Sequence, residues 1–443
     1  FSGPLVDARF SPRVLPMLCL RITIAIGSLL SLAQAEYFND FIDPPHHYHE
    51  TKKRDPMTRL LDAVEAGDVP PLSEPVGRPL VERLLRELEI PVESQTLVFS
   101  KTSLQRRAVD PGNPRAVYFN EEIYLGWMPR GRIEIGSVDP HLGSVFYFQR
   151  PLDDHESPLF FESRNCLGCH AGSATNFLPG PLGRSIYPRT DGRSAGGFPH
   201  DLAGHEIAPA HRWGGWYVSG APAGSKHFGN RLVQVREDRS LEVIPFPEPG
   251  KPLSTVMVEG DFPYGAKSDW LALLLLDHQI GMHYRLMVAH YKVRQADHDR
   301  NTEPGLPYAE LPAALQKDYR RFAKPVIDYL LFRNEAPLAN RGALSNDSDF
   351  QRVFLAGKQV DEQGRSLKDL DLSNRLFRYR CSYMIYSDSF TQLPRGLKDV
   401  VYQGLQDFLR DGPYPGEECR AIHSILRSTL PDWPFPAYDR ETE

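Results

Sequence analysis

Cysteine is scarce in this chain: five residues in 443 are too few for a disulfide-stapled fold. Basic charge is not in excess, since 51 Lys and Arg face 57 Asp and Glu for a net charge of −6, and a nucleic-acid partner loses its usual electrostatic footprint. The chain has no heptad run, low-complexity tract or internal repeat, which removes coiled coils, disordered tails and solenoids from consideration. Apolar runs are short. The stretch from Ile22 to Leu32 falls below the ~20 residues that span a bilayer, and the longer one over 270–294 is interrupted by Asp277, His278, His283 and Arg285. No membrane span is therefore expected after residue 35.

One of the few cysteine pairs carries the chemistry. In "SRNCLGCHAGS", residues 163–173, the order is Cys166-x-x-Cys169-His170. This spacing bonds both vinyl groups of one haem and places an imidazole at its iron. Two other chemistries use Cys-x-x-Cys. A redox-active dithiol opens a helix after an apolar strand, whereas "SPLFFESRN" is only partly apolar and "AGSATNFLPGPLG" reads as loop. Zinc needs a second ligand pair at matching spacing, which the chain lacks. The expectation is one covalent haem c, with Cys166 and Cys169 as thioethers and His170 as proximal iron ligand.

Export agrees with that chemistry. Residues 1–16 read as translated sequence upstream of a start at Met17. "MLCLRITIAIGSLLSLAQA" then supplies Arg21, an apolar core and Ala33-Gln34-Ala35, a three-part signal pattern cleaved after Ala35. The mature chain, from Glu36, is expected in the periplasm or otherwise outside the cytoplasm. It keeps four cysteines, and Cys381 and Cys419 would be free to form a disulfide there if their Cα atoms are close enough.

The sixth iron position is less local. His227 in "GSKHFGN" is the first candidate, because flanking glycines let a loop approach a ring closely. Met282 and His278 are the alternatives. They are four apart on one face of a buried helix over 270–294, which equally reads as plain core. Arg184, Arg189, Arg193 and Arg212 are candidates to pair the haem propionates, or are simply solvated loop charges. Trp213, Trp216 and Tyr217 are candidates for redox-active aromatics, or ordinary core.

The fold class is α+β, with a β-rich meander and a mainly helical C-terminal half around the haem-binding segment. Residues 36–113 read as an N-terminal helical region, with helices over 57–73 and 81–90. Residues 114–246 read as β-rich and contain the haem motif: three or four strands over 115–150, one at 214–220, and a hairpin over 231–246 turning at Glu237-Asp238-Arg239. Residues 247–443 read as mainly helical, with periodic faces over 270–294, 309–332, 382–410 and 416–429. The haem is expected at the junction, beside the 270–294 helix, because the Gly- and Pro-rich 163–212 stretch cannot cover its apolar faces alone.

Several stretches together resemble a family of exported bacterial proteins labelled as cytochrome c domain-containing: "PRAVYFNEEIYLGW", "SVDPHLGSVFYF", "CLGCHAGSATNFLPGPLGRSIYP", "HRWGGWYVSG", "DHQIGMH", "GRSLKDLDLSNRLFRYRCSYMIYS" and "TLPDWP". They run from about residue 114 to residue 433. The resemblance implies haem binding and electron transfer. Relatives often carry His-Met-Gly-Asn where this chain has His227-Phe228-Gly229-Asn230, a departure that leaves the iron His-ligated or open here. Di-haem peroxidases need two such motifs, and this chain has one.

The leading expectation is an exported mono-haem cytochrome that relays single electrons to a redox partner protein. The alternative is a mono-haem oxidoreductase acting on peroxide, oxygen or an organic substrate, favoured by the size of the chain. A third is a scaffold whose haem only fixes the fold.

Overall fold

Alternation along residues 115–149 builds an antiparallel sheet with two unlike faces. The computed structural model describes residues 41–151, 159–196, 203–257, 259–338 and 348–436; the expected signal segment and its cleavage point at Ala35 lie outside them. Four strands occupy the expected stretch: β2 (Arg115–Phe119), β3 (Ile123–Trp127), β4 (Glu134–Asp139) and β5 (Gly143–Gln149). Two short edge strands extend them, β1 (Thr96–Val98) and β6 (Phe160–Glu162), into a six-stranded meander in chain order. Ala116, Tyr118, Ile123, Leu125, Trp127, Ile135 and Val145 point to one side and form a core with the N-terminal helices α1 (Pro56–Ala66) and α2 (Arg78–Glu87). The other face carries Val117, Tyr124, Gly126, Glu134, Gly136 and Phe146.

Local signals set the helix ends. Asp55 caps α1 by accepting from Met57 N (3.0 Å) and Thr58 N (3.2 Å), Pro56 opens it, and Gly67 at φ 82° closes it seven residues before the expected end. The region 36–113 thus holds two helices but also the first strand of the sheet. The hairpin β7 (Arg231–Val235) and β8 (Leu241–Pro245) turns where expected, with Arg239 at φ 66°.

Residues 214–220 are not a strand. Trp213 (φ 68°) and Gly215 (φ 90°) bend the chain, which makes just two isolated bridges, Trp216 to Val98 and Ser219 to Asp269. A Cβ on Gly214 would lie 2.1 Å from the Ile186 carbonyl oxygen, so the tight passage requires glycine.

The short motif helix α3 (Leu167–His170) precedes α4 (Trp270–Asp299), which runs through the helical half and is buried along most of its length. Against it pack α5 (Ala313–Leu330) and α6 (Asp349–Leu355), while α8 (Arg395–Asp411) packs on α5 and α9 (Gly416–Thr429) on α8, all in one apolar core. The expected single helix over 382–410 is broken into a 3-10 turn at Tyr383–Tyr386, a short α7 (Asp388–Thr391) and α8. Ser382 and Ser387 each cap a new start through their hydroxyls, and Pro394 has no N–H to continue α7. No helix among the described residues is long and apolar enough to cross a membrane. Cys381 and Cys419 are both buried and are not joined by the disulfide that the sequence left open; desolvation pushes the Cys381 thiol up to about 12.

Candidate functional site

The motif leaves the sheet directly. Ser163 N donates to Phe146 O (2.7 Å), tying the end of β6 to β5, and a 3-10 turn over Arg164–Cys166 runs into α3. The following "AGSATNF" folds back through Asn176 (φ 54°) and Phe177 (φ 58°), which brings Gly180 N to His170 O at 2.9 Å. His170 Nδ1 lies 3.0 Å from the Gly180 carbonyl oxygen. A carbonyl only accepts, so the proton sits on Nδ1 and Nε2 presents its lone pair. That is the tautomer an imidazole needs to ligate iron, oriented by the backbone partner such ligands ordinarily have. Burial is the main reason the ring is held neutral, its pKa lowered to about 4, and it packs against Phe146 with centroids 4.4 Å apart. Cys169 is exposed, and Cys166 is partly buried, which raises its thiol pKa.

All three motif residues line one cavity of about 930 Å³. This is at the upper end of the volume range of clefts that enclose small ligands. One wall is the sheet face described above, where Gly126 and Gly136 keep mid-strand positions free of side chains. The others are the 101–108 loop, Pro181 to Arg184, Trp216, and Leu276 and Ile280 of α4. The cavity therefore lies between the sheet and α4.

Its charged lining is mostly cationic. Arg115 Nη1 pairs with Glu134 Oε2 at 2.6 Å, Gln105 Nε2 donates to Glu134 Oε1 at 3.1 Å, and Arg132 stacks 3.9 Å over Phe148. The Nε atoms of Arg115 and Arg184 are buried with no acceptor. Unmet buried donors are uncommon in a complete fold. The cavity fits a haem: a thiol pair and a correctly tautomerised imidazole at one edge, apolar walls from Phe146, Leu276 and Ile280, and arginines for the propionates.

Of the four proposed propionate partners, only Arg184 lines the cavity. Arg189 and Arg193 are exposed on their own loop, with Arg193 3.6 Å from Asp191. Arg212 is buried elsewhere, donating to Ile207 O (2.7 Å) and His205 O (2.9 Å). Trp216 lines the cavity and donates to Arg184 O at 3.0 Å, but Trp213 donates to Asp277 Oδ2 (2.9 Å) and Tyr217 to Pro111 O (2.7 Å) in the cores.

None of the expected distal ligands reaches the cavity. His227 lines a separate cleft of about 520 Å³ beside the β7–β8 hairpin, with its Nδ1 buried and unpartnered. His278 uses both nitrogens elsewhere, Nδ1 toward His205 Nδ1 (2.8 Å) and Nε2 toward Ser382 Oγ (2.7 Å). Met282 is fully buried in the helical core. Among the described residues that line the cavity, His170 is the one imidazole and there is no methionine. The 101–108 loop, Arg115, Arg132 and Glu134 were not among the residues expected at the site; the Arg106-Arg107 pair and the mid-strand glycines were the signals that pointed to them.

A scan against protein-family models and searches of curated proteins and solved structures each returned no match. The site stands on its geometry alone. Among the described residues no three or more His, Cys, Asp or Glu are grouped so that they could hold a metal ion.

Proposed function

We propose that this chain is an exported mono-haem c-type cytochrome that exchanges single electrons with a redox partner protein. One observation carries the reading: Cys166, Cys169 and His170 share the wall of a cavity of about 930 Å³, with Nδ1 of His170 committed to Gly180 O. Cys166 and Cys169 would hold the haem through thioethers and His170 would ligate its iron; when bound, the haem supplies a one-electron couple. Gly180 keeps the imidazole oriented, and Phe146, Leu276 and Ile280 exclude water from around it. Arg164, Asn165, Gly168 and Cys169 are exposed, so the attachment edge faces solvent where a partner can approach.

A second reading, a haem-dependent oxidoreductase, draws on a different observation. No described histidine or methionine other than His170 lines the cavity, which leaves room for a ligand or substrate. The experiment is expression with a c-type maturation system, followed by a haem-stained denaturing gel and a redox titration. Haem retained on the denatured wild type but not on Cys166→Ala/Cys169→Ala, with a reversible one-electron wave, is the expected result. Haem released on denaturation overturns the attachment.

A further inference from the structure

The cavity is lined by six cations, Lys101, Arg106, Arg107, Arg115, Arg132 and Arg184, and by a single carboxylate, Glu134. In a chain of net charge −6 this is a local reversal of sign. Glu134 is spent on Arg115 at 2.6 Å. The two propionates of a haem would match two further cations, which leaves three in excess. Lys101, Arg106, Arg107 and Arg184 form no salt bridge among the described residues, and the Nε atoms of Arg115 and Arg184 are buried donors without acceptors. A concave, low-dielectric site lined by one sign of charge concentrates ions of the other sign, and guanidinium donors in such a site match anionic oxygen or nitrogen acceptors.

We propose that the cavity admits a small anion to the haem face opposite His170, so that the ligand or substrate of this protein is anionic. The proposal rests on the haem reading above. An acidic protein docking at the mouth is the weaker fit, because Lys101, Arg115, Arg132 and Arg184 are partly buried inside the concavity and just Arg106 and Arg107 are exposed.

The test compares two ligands of ferric iron that differ in charge. The ferric holoprotein is titrated at pH 8 with azide, an anion, and with imidazole, which is neutral there, following the Soret band. Wild type is compared with Arg106→Glu/Arg107→Glu, both exposed positions on the 101–108 loop. Reversing two charges near the entrance should weaken azide by about tenfold at low salt. Imidazole should change by less than about twofold, which also reports that the pocket is intact. In ~1 M salt, where the screening length is about 3 Å, the azide difference should vanish. Failure of azide to bind, or equal shifts for both ligands, overturns the proposal. A protein with no covalent haem fails the earlier reading instead, and shows it by a missing Soret band before any ligand is added.

Discussion

Replacing His278 by Gln separates two roles that the sequence left open, iron ligand and buried core imidazole. The ring is fully buried, stacked between Tyr329 (centroids 5.3 Å) and Phe332 (4.8 Å), and bonded at both nitrogens. Burial first, then the nearby Arg285, lowers its pKa from 6.5 to about 3, so the folded protein keeps it neutral. In the unfolded chain the ring titrates at its ordinary value. Below pH 6.5 the unfolded state binds a proton that the fold refuses, so this group's contribution to stability falls as pH falls. Between pH 7 and pH 5 the loss is about 2 kcal/mol, because at pH 5 the folded ring still takes up almost no proton. Gln keeps a hydrogen-bonding amide but has nothing to titrate. Urea unfolding at the two pH values should therefore show wild type losing about 2 kcal/mol more than His278→Gln, on top of a loss of ~1–3 kcal/mol in the variant at pH 7 from the broken chain to His205 and Ser382. If the two proteins lose the same amount within about 0.5 kcal/mol, the ring is not held neutral and the reasoning fails. The ferric spectrum of the variant should match wild type, since His278 has no free nitrogen for iron.

His170→Ala should abolish the low-energy features of a His-ligated c-type spectrum; an unchanged spectrum and potential would mean that another residue holds the iron. His227→Ala and Met282→Ala should leave the ferric spin state unaltered, because neither residue lines the cavity, and a spin-state change in either would reinstate it as ligand. Asp277→Ala removes the acceptor of Trp213 Nε1 and the carboxylate paired with the buried Arg212, 4.0 Å away. Chemical denaturation should show a loss of about 3–5 kcal/mol, as for a buried charge left unpaired, and a loss under ~1 kcal/mol would show that the carbonyls of His205 and Ile207 suffice for Arg212.

Much of the fold was legible because it is written in local patterns. Alternation over 115–149 announced the meander, although β1 and β6, three residues each, were too short to signal themselves and form only because longer strands template them. The helix around Met282 was legible as buried. Which groups it meets was not, because a helix buried on nearly every side has no distinctive face: His278 meets His205 and Ser382, while Leu276 and Ile280 meet the cavity. The break at 382–394 had its signals in Ser382, Ser387 and Pro394, which the apolar period masked.

The sequence by itself carried the motif on which the proposed attachment rests, because Cys166, Cys169 and His170 lie close together in the chain at a spacing read without any tertiary contact. Only the tertiary structure decided the surroundings of that chemistry. The cavity joins residues 101–108, 115–136, 144–147, 165–184, 216 and 276–280, segments brought together by the sheet register and by packing on α4. Contacts so far apart in the chain are selected by the burial of two apolar cores, and no spacing rule encodes them. That is why His170 could be named from its neighbours in the chain, whereas the cationic wall around it, and the placement of His227, Met282 and His278 away from that cavity, could not.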